Sequence, residues 1–188
     1  MDGRPYLRCL GQPALFSPTG EPIRVRTKKH LALLVYLAVE GRRTHRRDRL
    51  AELFWPDVPA PEARHSLATA LSILRPRLGP GTIEATRDHV VLVEGCVSLD
   101  LDRLQAGEVV ADETQEVLEV AGFLEGFEIP DSAEFGLWKD RQRARLLPSV
   151  RAALVQLIDR CRRTADSRDS WLFPGEPRPK ACPTLTVG

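Results

Sequence analysis

No apolar run in this 188-residue sequence approaches the roughly 20 residues needed to cross a bilayer. Nor does the opening Met1-Asp2-Gly3-Arg4-Pro5 lead into the apolar stretch of a secretion signal. The expectation is a cytoplasmic protein with no membrane partner. Cysteine is scarce and scattered: Cys9, Cys96, Cys161 and Cys182 form no C-x-x-C pair, and His30, His45, His65 and His89 are as widely spread. That excludes a recognisable zinc ligand set, so no metal and no cofactor is expected, and the thiols read as small apolar side chains. A glycine-rich phosphate loop is also missing. Asp48, Asp57 and His65 stand at a spacing that matches no acid-base motif, and the chain is not expected to be an enzyme.

What the sequence does hold is a core and an uneven charge. With 43% hydrophobic residues it can bury one ample domain or two small ones. Its net charge is only +1, yet Arg24 to Arg77 contains twelve Arg and Lys against five acids. From residue 106 onward the balance reverses, with eleven basic and fourteen acidic residues. A basic segment followed by a mildly acidic one suggests a polyanion-binding module joined to something else.

The patterning divides the chain accordingly. Short strands are expected at Tyr6 to Leu10, Ala14 to Phe16 and Ile23 to Arg26, forming a small antiparallel sheet. Thr27 can cap a helix with Leu31, Leu34, Val35, Leu37 and Ala38 inward, closed by Gly41. A second helix is expected over Arg46 to Phe54, with Arg42, Arg43, His45, Arg46, Arg47 and Arg49 about its start. Three prolines within Trp55 to Pro61 then break helical geometry. The third helix, Pro61 to Leu78, seals Leu67, Leu71, Leu74 and Leu78 inward and turns His65, Thr69 and Ser72 outward. It should kink or finish at Pro76. A hairpin follows from Thr82 to Val93 with Arg87 at its tip, then a strand from Val97 to Leu101.

From Asp112 the character changes. Val117, Leu118, Ala121 and Leu124 give one helical face. A turn near Phe127 leads to a long helix from about Ala133 to Arg163, kinked at Pro148, with Trp138, Leu146, Val150, Leu154, Leu157, Ile158 and Cys161 buried. Residues 165–188 hold four prolines, no period, and Trp171 and Phe173, the composition of a disordered tail.

Strands, three helices and a hairpin describe an α+β winged helix, with the third helix as reader and the hairpin as wing. KKHLALLVYLAVEG, RRDRLAELFWPD and EARHSLATALSILR resemble the winged-helix domain of the Streptomyces antibiotic regulatory protein type, itself similar to OmpR/PhoB-like effector domains. FLEGFEIPDSAEFGLWKDRQRARL resembles the opening of the bacterial transcriptional activation domain of those regulators. The resemblance implies a DNA-binding transcriptional regulator with three parts: a winged helix over residues 1–105, an incomplete, all-α, tetratricopeptide-like segment over 106–164, and the tail over 165–188. It further implies that the third helix enters the major groove of double-stranded DNA, that Arg87 approaches the minor groove or a phosphate, and that the loop Trp55 to Pro61 meets RNA polymerase. Pairing as a homodimer on direct repeats is left open.

The residues expected on DNA are Arg46, Arg47, Arg64, His65, Thr69, Ser72, Arg75 and Arg87. Arg64 and His65 sit in the helix's first turn, where side chains and amides can meet phosphate or base edges. Arg46 and Arg47 offer charge to the backbone. The rest of the reading face is poor in bidentate donors, since it presents Ser66, Ala68, Thr69 and Ile73. That weakness motivates an alternative, a protein-interaction adaptor whose winged helix is a scaffold and whose helical segment captures a partner through Trp138 and Leu154.

Overall fold

The structure, a computed structural model, describes residues 3–41, 43–106 and 122–169. The chain begins with three short strands, β1 (Tyr6–Arg8), β2 (Ala14–Phe16) and β3 (Pro22–Ile23). Leu7 and Leu15 alternate inward between half-exposed neighbours and pair across the antiparallel β1–β2 ladder. The third strand ends before Val25 and Arg26. The fourth strand of this sheet is β7 (Ser98–Leu99), which lies parallel to β1, so the sheet is mixed and ordered β3-β2-β1-β7.

Helix α1 (Lys28–Glu40) starts as expected: the Thr27 hydroxyl accepts from the His30 amide, and Gly41 closes the helix at φ 65°. Leu33, Leu34 and Leu37 are fully buried, while Leu31 is only half-buried. The next element differs from expectation. His45 and Arg46 form a strand, β4, paired with the later hairpin, and α2 (Arg47–Phe54) begins only after it. Arg46 therefore lies in a ladder and not in the helix.

Helix α3 (Ala60–Leu78) does not stop at Pro76. The proline ring deletes one backbone bond, but Leu74 and Leu78 are buried on either side of it and hold the helix to the core. The Arg77 guanidinium adds a bond to the Ile73 carbonyl at 2.6 Å, while the carbonyl that Pro76 leaves without a helical donor is that of Ser72. Gly79, at φ 97°, ends the helix. The hairpin β5 (Ile83–Ala85) and β6 (His89–Leu92) follows, and with β4 it makes a three-stranded sheet in the order β4-β6-β5. The strand expected as far as Leu101 gives way at Asp100 to α4 (Asp100–Gln105).

Of the expected helical face at Val117, Leu118, Ala121 and Leu124, the first three residues lie outside the described residues. Leu124 is not helical: it sits in a turn at φ 52°, fully buried, with its amide bonded to the Cys9 carbonyl. The long helix α5 runs from Ala133 to Asp169, so residues 165–169 are helical and not tail. Ser132 caps it through the Phe135 amide and also donates to the Leu53 carbonyl at 2.6 Å. Trp138 and Leu146 are buried as expected, whereas Ile158 is half-exposed, as is the neighbouring Val155. The helix has by then left the core behind, and among the described residues nothing covers that face.

The core is continuous from the first helices to α5. Tyr36 of α1 packs against Trp138 with the rings tilted and their centroids 4.9 Å apart, and Phe54 of α2 meets Phe135 at 5.7 Å. Glu40 gathers the polar side of this contact, its Oε1 accepting from Trp138 Nε1 at 2.7 Å and from Gln142 at 3.0 Å. Trp138 is thus enclosed and hydrogen-bonded, so its ring is not exposed for the partner capture that the adaptor reading asks of it. No helix among the described residues is long and apolar enough to span a membrane.

Candidate nucleic-acid interface

Two short stretches of sequence meet at one edge of the fold. The β4–β6 ladder sets Arg46 opposite His89, and Arg47, the first residue of α2, donates its amide to the Asp88 carbonyl at 2.8 Å. The Arg47 guanidinium adds a long contact to Thr86 O at 3.4 Å. The basic start of α2 and the tip of the hairpin are therefore one surface. Arg87 stands exposed on that tip, held by a turn in which the Thr86 hydroxyl accepts from the amides of Asp88 and His89. Neither Arg46 nor Arg87 makes a hydrogen bond or ion pair to a side chain among the described residues.

The start of α3 joins the same edge through an ion pair. Arg64 Nε donates to Asp48 Oδ1 at 2.7 Å, tying the first turn of α2 to that of α3. The Arg64 hydrogen bond holds the Asp48 carboxyl below its ordinary range, and reciprocally raises the guanidinium. Along the rest of α3 the exposed residues include Pro61, Glu62 and His65 near the start, then the small Ala68, Thr69 and Ser72, and Arg75 and Pro76 near the end. The Ser72 hydroxyl donates to the Thr69 carbonyl one turn back at 2.8 Å, so its proton is already used within the helix. His65, Ser66 and Thr69 line a shallow hollow with Thr27, Lys29, His30 and Trp55.

Arg75 is placed differently from the others. Its Nε donates to the Ile83 carbonyl at 3.3 Å, so it braces the hairpin base against α3. The signal for this is its position one turn before the helix end, where a long donor reaches back over the chain leaving it. Much of the basic entry is likewise engaged. Arg43 pairs with Glu40, and both terminal nitrogens of Arg49 meet the Glu134 carboxylate of α5. His45 is partly buried against Tyr36, with its Nε2 lacking a partner, and desolvation lowers its pKa. Arg42 lies outside the described residues.

The loop from Trp55 to Pro61 is bordered by the approach to α5. Pro56 and Asp57 line one open hollow together with Glu128, Asp131 and Glu134. Among the described residues no group of three His, Cys, Asp or Glu could hold a metal ion.

No protein-family model matches the sequence, and no curated protein is similar to it. Among solved structures, the chain is similar to that of Mycobacterium tuberculosis EmbR in complex with a low-affinity phosphopeptide, at 23% identity and a TM-score of 0.49. The alignment covers 90% of this chain and 43% of EmbR, so the chain spans less than half the length of that protein.

Proposed function

We propose that the chain is a DNA-binding transcriptional regulator of the antibiotic-regulator type, built on a winged helix. In this reading α3 lies in the major groove, and the β5–β6 hairpin is the wing that brings Arg87 to the minor groove or backbone. The observation that carries the reading is the gathering of Arg46, Arg47 and Arg87 on one edge beside the start of α3. Cations outside close ion pairs, Arg46 with only a longer-range attraction to Asp48, suit a phosphate backbone flanking an open groove. Arg75 acts within the protein, setting the angle of the wing, and the chemistry is recognition and not catalysis.

The loop from Trp55 to Pro61 is the candidate RNA polymerase contact, shared in this reading with the acidic rim that residues 128–136 add beside it. Contact with partner proteins by α5 falls to Leu147, Val155 and Ile158, which are exposed, and not to Trp138. Binding as a homodimer to direct repeats and a cytoplasmic location both belong to this reading.

The test is titration of duplex DNA with the full chain and with Arg46→Ala, Arg47→Ala and Arg87→Ala. Each variant is expected to weaken binding several-fold on every sequence, because phosphate contacts carry no base information. If all three bind as the parent does, the surface is not a DNA-binding one.

A further inference from the structure

Arg64 differs from the other exposed cations of the edge in being aimed. Its Nε is committed to Asp48, and among the described residues neither Nη1 nor Nη2 has a partner. Both side chains are about half-exposed, 57% for Arg64 and 46% for Asp48, so burial does not force them together. Holding a long side chain in one orientation at such a position sacrifices rotamer freedom and, on the surface, returns little stability.

The geometry points to Asp48 as a positioning residue that presents Arg64 end-on to the O6 and N7 edge of a guanine in the major groove. This rests on the DNA-binding reading above. With Nε occupied, side-on contact through Nε and one terminal nitrogen is closed, and the Nη1–Nη2 fork is what remains for a two-acceptor edge. A phosphate is the poorer target. The Asp48–Arg64 pair is neutral as a unit, and the carboxylate would stand beside a phosphodiester of the same sign. Arg87, and Arg46 whose charge acts on Asp48 only at longer range than Arg64's, already offer charge for the backbone. The surroundings also favour a base: Pro61, Ala68 and Ser72 keep the exposed side of α3 low, so the helix can approach the groove floor and a long side chain can reach it. Ser72 cannot replace the function, as its proton is held by the Thr69 carbonyl.

The experiment is selection of bound sites from random duplex DNA by the full chain, Asp48→Ala, Asp48→Asn and Arg64→Ala, followed by competition between guanine and adenine at each enriched position. The parent is expected to enrich a guanine that Arg64→Ala no longer enriches, with a preference of roughly ten- to a hundredfold. Asp48→Ala should lose most of that preference while its salt slope and melting temperature stay close to the parent's. Asp48→Asn, which keeps an oxygen for Nε, should retain part of it.

Unchanged guanine preference in Asp48→Ala overturns the proposal. So does a uniform loss on all sequences with the salt slope flatter by about 0.9, which would place Arg64 on a phosphate. A parent that binds with strong salt dependence but no base preference also overturns it, leaving the DNA reading intact. A parent that binds no duplex removes both. If Asp48→Ala does not fold, the comparison of Asp48→Asn with Arg64→Ala decides: equal and complete loss of the preference is again contrary.

Discussion

Asp100 is buried at the junction of β7 and α4, and its Oδ2 accepts the amides of Cys9 at 2.7 Å and Leu10 at 2.6 Å. Desolvation raises its pKa and those two amides oppose the rise. Asp100→Ala would strand both donors inside the protein, with an expected loss of about 1–3 kcal/mol in chemical denaturation. A variant as stable as the parent would mean water replaces the carboxylate. The same cause, burial, shifts two histidines in the other direction. Burial lowers His30, with Arg26 and Arg77 adding to it, and burial lowers His45. Each therefore binds its proton less readily when folded than when unfolded. Their contribution is intact above the ordinary value of 6.5 and is lost as pH falls through the lowered folded values. The melting temperature should drop between pH 7 and pH 5.5, and the drop should shrink in a His30→Gln, His45→Gln double variant. An equal drop in parent and double variant would assign it to other groups.

At the scale of elements, α3 is the test of how packing competes with local chemistry. Pro76 interrupts the backbone ladder, yet the helix continues because Leu74 and Leu78 are both buried. Pro76 itself is exposed. Pro76→Ala restores a backbone donor without touching the core, and is expected to stabilise by roughly 1–3 kcal/mol in thermal denaturation. No gain would show that the Ser72 carbonyl, which loses its helical donor to Pro76, is satisfied by solvent at this exposed position. The same contrast explains what could be read in advance. Thr27 and Gly41 set helix ends through neighbours a few residues away, and the leucine spacing of α3 fixes its buried side, so these were legible. The pairing of β4 with β6, the parallel β7 beside β1, Arg75 on Ile83 and Arg49 on Glu134 were not. Each is made between segments that only the finished fold brings together, and two-residue strands such as β4 have no period to detect. The charge excess was legible as a number but not as a surface, because Arg43 and Arg49 are neutralised in place. Of the residues expected on DNA, Arg46, Arg47, Arg64 and Arg87 are drawn to one edge; Arg75 is turned to the hairpin base.

At the scale of the whole molecule, the N-terminal helices and the start of α5 share one buried cluster, in which Trp138 touches Tyr36, Phe123 and Phe135. Trp138→Ala should cost about 3–5 kcal/mol and lower a single unfolding transition instead of detaching α5 alone. Two separated transitions in the parent would show that the cluster does not unite the chain. A joined core also holds Glu134 against Arg49, so α5 trims the charge of the edge proposed to meet DNA. What remains is a cationic edge formed by Arg46, Arg47 and Arg87, and in the DNA-binding reading that edge meets phosphates. Its most direct test is the affinity of the full chain for duplex DNA measured across a range of salt. With Arg46, Arg47 and Arg87 on the backbone, log affinity should fall linearly with log salt at a slope of about −3. A slope near zero would contradict the account, whatever the affinity at any one salt concentration.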